Sequence, residues 1–539
     1  MSSATAAGPS REGRLRPVAR TAAAVVVLGT ATLLGVAGAI RPGWLLALAA
    51  AISFVGLLLA LLVEARTAVV LLIPLVALGG VAVAFVWPTA TILGAALIVV
   101  AALLRRAPVH ALLTALLLSA FEGALKLRLA IEGAPSPRTI GALAIDLSLF
   151  SAIAGLVIRD RATTLRTLWG QLNRFERVAL GLLVGWLAVS VLQTAQSGDV
   201  VAGVQGFRLS QAYAVAALAG LLIFRSGLSE ERVTRLLLYV LAAVSAYAAL
   251  RTITGPTGSE VTFIDERSGQ GALGTAGRAL GGFSSPFGVA SFLVPASVFG
   301  LVLAYLRERD RLLSAFAAVT AAVGVVGSYV RTGLVALAAG AAFLAAMLAR
   351  GRGLTRRQRL VPVALIVVLL AGGYAGSVLT SDVSDLAKQR SEGLKDPLGD
   401  ESLNTRLDTW GDTLERVADE PLGSGLGTIG HATFTGERDS DVFTDNSYLK
   451  VIREQGVIVG PLFVLGLLGF TGAIAVRLSR AGPTRHPVGV AALAGFVSFM
   501  VLAVMAEYFE QPGKVLAWML LGIAAWEAFL KVSPGENAA

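Results

Sequence analysis

The chain has 539 residues, 55% apolar and 15% charged, against roughly 45–50% and about 25% in an ordinary soluble domain, which with a mean hydropathy of +0.74 excludes a soluble globule. It has no cysteine and three scattered histidines, His110, His431 and His486, so disulfides, thiolate catalysis and Cys- or His-rich metal centres are excluded, and neither metal nor cofactor is expected. The net charge of +10 invites a nucleic-acid reading, which the placement of the charges then removes.

Residues 1–20 form a polar, basic tail with Arg11, Arg14, Arg16 and Arg20. The apolar run behind it has no A-x-A-like cleavage site, so it reads as an uncleaved first helix with a cytoplasmic N-terminus. Apolar runs follow near 21–40, 43–63, 67–87, 89–104, 109–130, 139–158, 175–193, 203–224, 232–252, 285–306, 311–329, 331–349, 360–380, 457–478, 487–507 and 514–531. Most are long enough to cross a hydrocarbon core of about 30 Å as a helix. The short pair 89–104 and 109–130 is the weakest, because the second holds Glu122, Lys126 and Arg128 and suits an interfacial or re-entrant segment as well. The fold class is therefore an all-α, polytopic transmembrane helical bundle of about 14–16 helices. The 60 glycines suit close helix packing within it.

Alternate connections carry the Lys/Arg excess, as the positive-inside rule requires: Arg105-Arg106, 159–177, Arg225 to Arg235, Arg307 to Arg311, Arg350 to Arg359 and Arg477 to Arg485. The charge is a topology signal, and a nucleic-acid partner is excluded because no soluble basic face with interleaved aromatics exists. Both termini are expected in the cytoplasm. The domain organisation is a basic tail (1–20), N-terminal transmembrane helices (21–380), one long extracytoplasmic loop (381–456), C-terminal transmembrane helices (457–531) and a short cytoplasmic tail (532–539).

The loop 381–456 carries 16 Asp/Glu against 8 Lys/Arg, and a loop of this length is functional or disordered. Leu403, Leu407, Trp410, Leu414 and Val417 recur at spacings of three and four, which predicts a helix, capped by Ser402 or Asn404 and broken by Pro421 and the glycines 423, 425, 427 and 430. Gly425-Leu-Gly427-Thr-Ile-Gly430 satisfies G-x-G-x-x-G, but no strand precedes it, so it is a turn and not a dinucleotide site.

Arginines at the outer helix ends break the inside-positive pattern. Arg208 lies one turn into an apolar run, Arg278 precedes the helix that starts near Pro286, Arg331 sits between two runs, and Arg406 lies on the loop helix. An ionisable group at membrane depth is costly and marks a site, and guanidinium grips phosphate oxygens bidentately. Snorkelling or a structural ion pair is the alternative for each. Asp445, before the run at 457, reads either as a helix cap or as a general base for a hydroxyl. Asn446 and Tyr448 orient it or the substrate, or else cap and pack. His431 is a solvated loop residue or an auxiliary acid/base. His110 and His486 read as surface residues.

Gly206-Phe-Arg208, Gly281-Gly-Phe-Ser-Ser-Pro286, Ser328-Tyr-Val-Arg331-Thr-Gly333, Arg406-Leu-Asp-Thr-Trp410, Glu420-Pro-Leu-Gly-Ser-Gly425-Leu-Gly427, Asp445-Asn-Ser-Tyr-Leu449 and Glu454-Gln-Gly-Val-Ile-Val-Gly460 occur in an order that resembles the O-antigen ligase and Wzy-type O-antigen polymerase superfamily of bacterial membrane glycosyltransferases. The resemblance covers about 200–460. It implies a GT-C-like fold and transfer of a glycan from an undecaprenyl-pyrophosphate donor to an acceptor hydroxyl on a glycan or lipid, at the outer face of the plasma membrane, inverting and without metal. It further implies that the arginines hold the pyrophosphate and that a loop residue acts as base. Ligases of the family carry His where this chain has Asp445. The competing class is a transporter or flippase of polyprenyl-linked sugars. The long acidic loop and the lack of paired interrupted helices in two halves of the chain count against it.

Overall fold

The structure, a computed structural model, describes residues 107–131, 137–194, 200–255, 280–350, 401–430 and 443–531. Among these every regular element is helical, and seven helices are long and apolar enough to cross a membrane, eight if one bent pair counts as a span. The fold is thus the expected polytopic helical bundle. The four runs before residue 105, the run 360–380, and the residues Arg278 and His431 lie outside the described residues.

In chain order the helices are α1 (Pro108–Ala120), α2 (Glu122–Ile131), α3 (Pro137–Asp160), α4 (Thr163–Gln171), α5 (Arg174–Gln193), α6 (Val200–Ser210), α7 (Ala216–Leu222), α8 (Glu230–Thr254), α9 (Pro286–Leu306), α10 (Arg311–Gly327), α11 (Arg331–Arg350), α12 (Glu401–Asp419), α13 (Ser447–Ala481), α14 (Pro487–Met505) and α15 (Lys514–Trp526). Local chemistry sets several starts. Asn173 and Glu176 form a capping box on α5, Ser285 accepts from the Gly288 N–H with Pro286 in the first turn of α9, and Pro487 opens α14. Helices α9, α14 and α15 are buried along most of their length. The apolar window of α9 is 83% buried and that of α5 only 22%, so α9 is core and α5 is rim, with Val184 and Leu192 turned outward as suits lipid contact.

Four expectations are corrected. The run 203–224 is not one helix: α6 and the segment from Ala212 meet at a 40° bend, with Gln211 between them. The run 109–130 divides at Phe121 into α1 and α2. The end of the loop runs straight into the membrane helix as expected, α13 beginning at Ser447 and bending at Gly456 (φ 85, ψ 174). The loop helix α12 begins at Glu401, so Ser402 and Asn404 lie inside it and neither caps it. Its predicted stripe holds only in part, at Leu403, Trp410 and Val417. Val417 and Thr413 are buried, whereas Leu407 and Leu414 are exposed, so the inward face runs through Arg406 and Thr413.

Candidate active site

The glycine turn after α12 docks on two helices. All four glycines 423, 425, 427 and 430 have positive φ, the turn conformation that glycine adopts without a Cβ penalty. The Gly425 N–H donates to the Glu454 carbonyl at 3.0 Å, the Gly427 N–H to the Glu454 carboxylate at 3.0 Å, and the Val457 N–H, just past the bend, to the Pro421 carbonyl at 3.0 Å. Gly427 also lies against α6, where a Cβ on it would stand 2.0 Å from the Ala202 carbonyl oxygen. The G-x-G-x-x-G spacing is therefore a docking turn, as its sequence context indicated.

Asp445 heads the segment that follows. It does not cap α13: the Asn446 Oδ1 accepts the Tyr448 and Leu449 N–H groups at 2.9 and 3.1 Å. Of the two readings of Asp445 the cap is therefore taken by its neighbour. The Asp445 side chain is 42% exposed and faces Arg406 Nε at 3.8 Å, longer than the 2.7–2.9 Å of a charge-assisted hydrogen bond. Arg406 Nε is buried and makes no hydrogen bond among the described residues, which in a folded protein calls for an explanation. Tyr448 turns away from this pair, donating its hydroxyl to the Met500 carbonyl at 3.0 Å and packing edge-on to Phe509.

Two further residues join Asp445 and Arg406. The Tyr508 hydroxyl, in the short turn after α14, lies 3.3 Å from Thr332 Oγ1 and close enough to Arg406 and Asp445 for their charges to act on it. Burial pushes this phenol well above its ordinary value, against the pull of Thr332 and Arg406, so it remains a protonated donor at neutral pH. Thr332 follows Arg331, the first residue of α11. The turn before it is tight, with Tyr329 at φ 52 and Ser328 bonded back to the Val325 carbonyl at 2.7 Å. Arg331, Arg406 and Asp445 thus belong to one end of the bundle.

Arg208 belongs to a neighbouring cluster. Its Nε donates to Asp146 of α3 at 2.6 Å, and the Tyr213 hydroxyl also bonds Asp146. The ion-pair alternative for Arg208 is therefore present, although the side chain stays 25% exposed and the hydrogen bond runs through Nε. The Gly281–Pro286 motif works nearby: Ser284 donates to Glu122 at 2.6 Å.

Between the two clusters runs a buried ionic seam. The Lys450 ammonium donates to the Ile429 carbonyl at 2.8 Å, pairs with Glu510, and lies 3.8 and 3.9 Å from Glu507 and Glu454. Glu510 accepts from Ser210 at 3.0 Å, two residues from Arg208. Tyr508, Thr332, Lys450, Glu507 and Glu510 were not singled out in the sequence. The available signal was the polar interruption Glu507-Tyr-Phe-Glu-Gln-Pro-Gly-Lys514 between two apolar runs. His486, expected at the surface, is buried, with its ring 3.0 Å from Glu527; His110 is exposed. Among the described residues no group of three or more His, Cys, Asp or Glu is arranged to hold a metal ion.

These features define a class, a multi-pass membrane protein with an arginine-bearing polar site at one end of its bundle. Residues 316–464 match the family model described as O-antigen ligase, in agreement with the superfamily resemblance carried by the motifs. The match supports, at a coarse level, a membrane ligase or polymerase that transfers a lipid-linked glycan. It includes Arg331, Arg406, His431, Asp445, Asn446 and Tyr448 and leaves out Arg208 and Arg278. No curated protein matches the chain.

Proposed function

We propose that this protein is a glycosyltransferase of GT-C-like architecture that moves a glycan from an undecaprenyl-pyrophosphate donor to an acceptor hydroxyl, as a polysaccharide polymerase or an O-antigen-ligase-like enzyme. It works at the outer face of the bacterial plasma membrane, with both termini in the cytoplasm and 381–456 as the catalytic loop. The observation that carries the reading is the pairing of Asp445 with Arg406: a half-exposed carboxylate beside a guanidinium whose buried Nε–H has no acceptor among the described residues.

In this reading Asp445 takes the proton of the acceptor hydroxyl as that oxygen attacks the anomeric carbon. The bond from that carbon to the pyrophosphate oxygen breaks, and its electron pair leaves with the pyrophosphate. A single displacement inverts the anomeric centre. The negative charge developing on the leaving group is met by Arg331 and Arg406, with Arg208 and Arg278 on the donor side, in the place a divalent cation would take. Neutral Tyr508 donates a hydrogen bond to the same oxygens. Asn446 keeps the base at the end of α13, and His431 contacts the substrate.

The test is transfer by purified protein in lipid vesicles, given a polyprenyl-pyrophosphate glycan with and without a candidate acceptor. Elongated or transferred glycan together with free polyprenyl pyrophosphate supports the reading. An intact donor moved across the bilayer, with no glycosidic bond broken, would instead indicate a flippase.

A further inference from the structure

Asp445 has φ 47, a left-handed conformation that costs a non-glycine residue of the order of 1 kcal/mol and persists where the surroundings over-determine it. The surroundings here are one segment, the connection between α14 and α15. On the near side of Asp445, the Thr444 N–H donates to one oxygen of Glu507 at 2.9 Å, and the Thr444 hydroxyl shares its single proton between that oxygen at 3.1 Å and the Asn446 carbonyl at 3.0 Å. On the far side, the Ser447 hydroxyl donates to the Ala506 carbonyl at 2.9 Å and accepts the Phe509 N–H at 3.2 Å. Thr444, Ser447 and Glu507 are all buried, whereas Asp445 between them is not. The turn is thus clamped at both flanks, with its carboxylate as the exposed tip.

Glu507 is the side chain in this clamp that can be changed without touching the backbone. It stands between Thr444 and the Lys450 ammonium, which it meets at 3.8 Å. Two roles follow from that geometry, a charge partner for Lys450 or an acceptor that pins Thr444. The convergence of the Thr444 N–H and hydroxyl on a single oxygen favours the second, because two donors of one residue fix its orientation as well as its position.

We propose that Glu507 is a positioning residue, which by accepting the Thr444 N–H and sharing the Thr444 hydroxyl holds Asp445 in its left-handed conformation facing Arg406. The proposal rests on the reading of Asp445 as the base. Glu507 touches neither donor nor acceptor in this scheme, so its effect is on turnover, with little on donor binding.

The test uses the absence of native cysteine. Ser447→Cys places one thiol on the buried flank of the turn, and its alkylation rate reports how often the turn opens, with no catalysis required. Glu507→Ala in that background should speed labelling about tenfold, the order expected for loss of the buried N–H bond and the shared hydroxyl bond to one acceptor. Glu507→Gln, which keeps an acceptor oxygen and loses the charge, should restore a rate within about twofold of the parent. With Ser447 intact, Glu507→Ala should lower kcat with donor KM near wild type, and Gln should recover most of kcat. Thr444→Val, which removes one of the two bonds, should lie between and serves if Glu507→Ala fails to fold. Unchanged labelling in both the Ala and Val variants, or a Gln variant as impaired as Ala, would overturn the proposal in favour of charge balance alone. Because labelling is read without turnover, its failure is separate from that of the base assignment: full transfer by Asp445→Asn would remove the base and leave the clamp measurable.

Discussion

Gly206 of α6 and Gly427 of the loop turn pack backbone to backbone, so close that a Cβ on Gly206 would stand 2.2 Å from the Gly427 nitrogen. Real Cβ contacts are not that short, and the obstacle is backbone, which cannot swing away as a flexible side chain does. This contact seats the turn, and with it α12 and Arg406, on the helix that carries Arg208. Gly206→Ala should therefore cost about 2–4 kcal/mol, read as a lower thermal midpoint of the purified protein, and should weaken transfer in step. A midpoint equal to wild type would mean that the turn does not sit on α6.

Arg208 separates binding from stability. Its Nε is committed to Asp146 in a part-buried pair, and removing one member of such a pair costs less than the roughly 3–5 kcal/mol of a fully buried one but leaves Asp146 short of its cation. Arg208→Ala should thus lower both stability and activity. Arg208→Lys keeps a cation for Asp146 while losing the planar fork, so the fold should hold and transfer should fall about tenfold or more, measured at matched expression. Wild-type transfer by the Lys variant would make Arg208 purely structural.

For Arg331 and Arg406 the comparison is between charge and geometry. Arg→Lys at either should reduce turnover about tenfold or more, because an ammonium does not reproduce the bidentate contact with two phosphate oxygens. Transfer should also survive EDTA, since the guanidinium groups stabilise the leaving group. Strict dependence on a divalent cation, or full activity in both Lys variants, would contradict the clamp.

Much of this was legible in the sequence, at the level at which each feature is local. Among the described residues, apolar runs mark the helices because hydropathy sums over neighbours, Arg406 stands out because a cation in an outer loop runs against the inside-positive rule, and Asp445 because it heads the segment before the run at 457. The bend at Gln211 is missed although Arg208, Ser210 and Gln211 interrupt the run there, because hydropathy averaged over 203–224 stays apolar. The face of α12 is legible in part: Leu403, Trp410 and Val417 lie on its inner side as expected, but Arg406 and Thr413 take the places expected of Leu407 and Leu414, which are exposed. The seam of Lys450, Glu507 and Glu510, like the Arg208–Asp146 pair, joins residues far apart in the chain. A single sequence read by window holds no record of such pairs.

Topology has its own check. If 381–456 faces outward, Leu407→Cys, exposed on α12, should be labelled in intact spheroplasts by a membrane-impermeant thiol reagent. Labelling only after lysis would invert the arrangement and put the site on the cytoplasmic side.

The central claim is that Asp445 is the base, and the most direct measurement is glycan transfer by purified Asp445→Asn beside wild type and His431→Ala. Asparagine keeps the size and polarity of the side chain, and the cap is made by Asn446, so expression and thermal midpoint should be unchanged. Removing a general base typically costs about 10²–10⁴-fold in rate, and that loss is expected for Asp445→Asn, while His431→Ala keeps substantial activity. Near-wild-type turnover by Asp445→Asn would contradict the account, and together with an inactive His431→Ala it would move the base to His431.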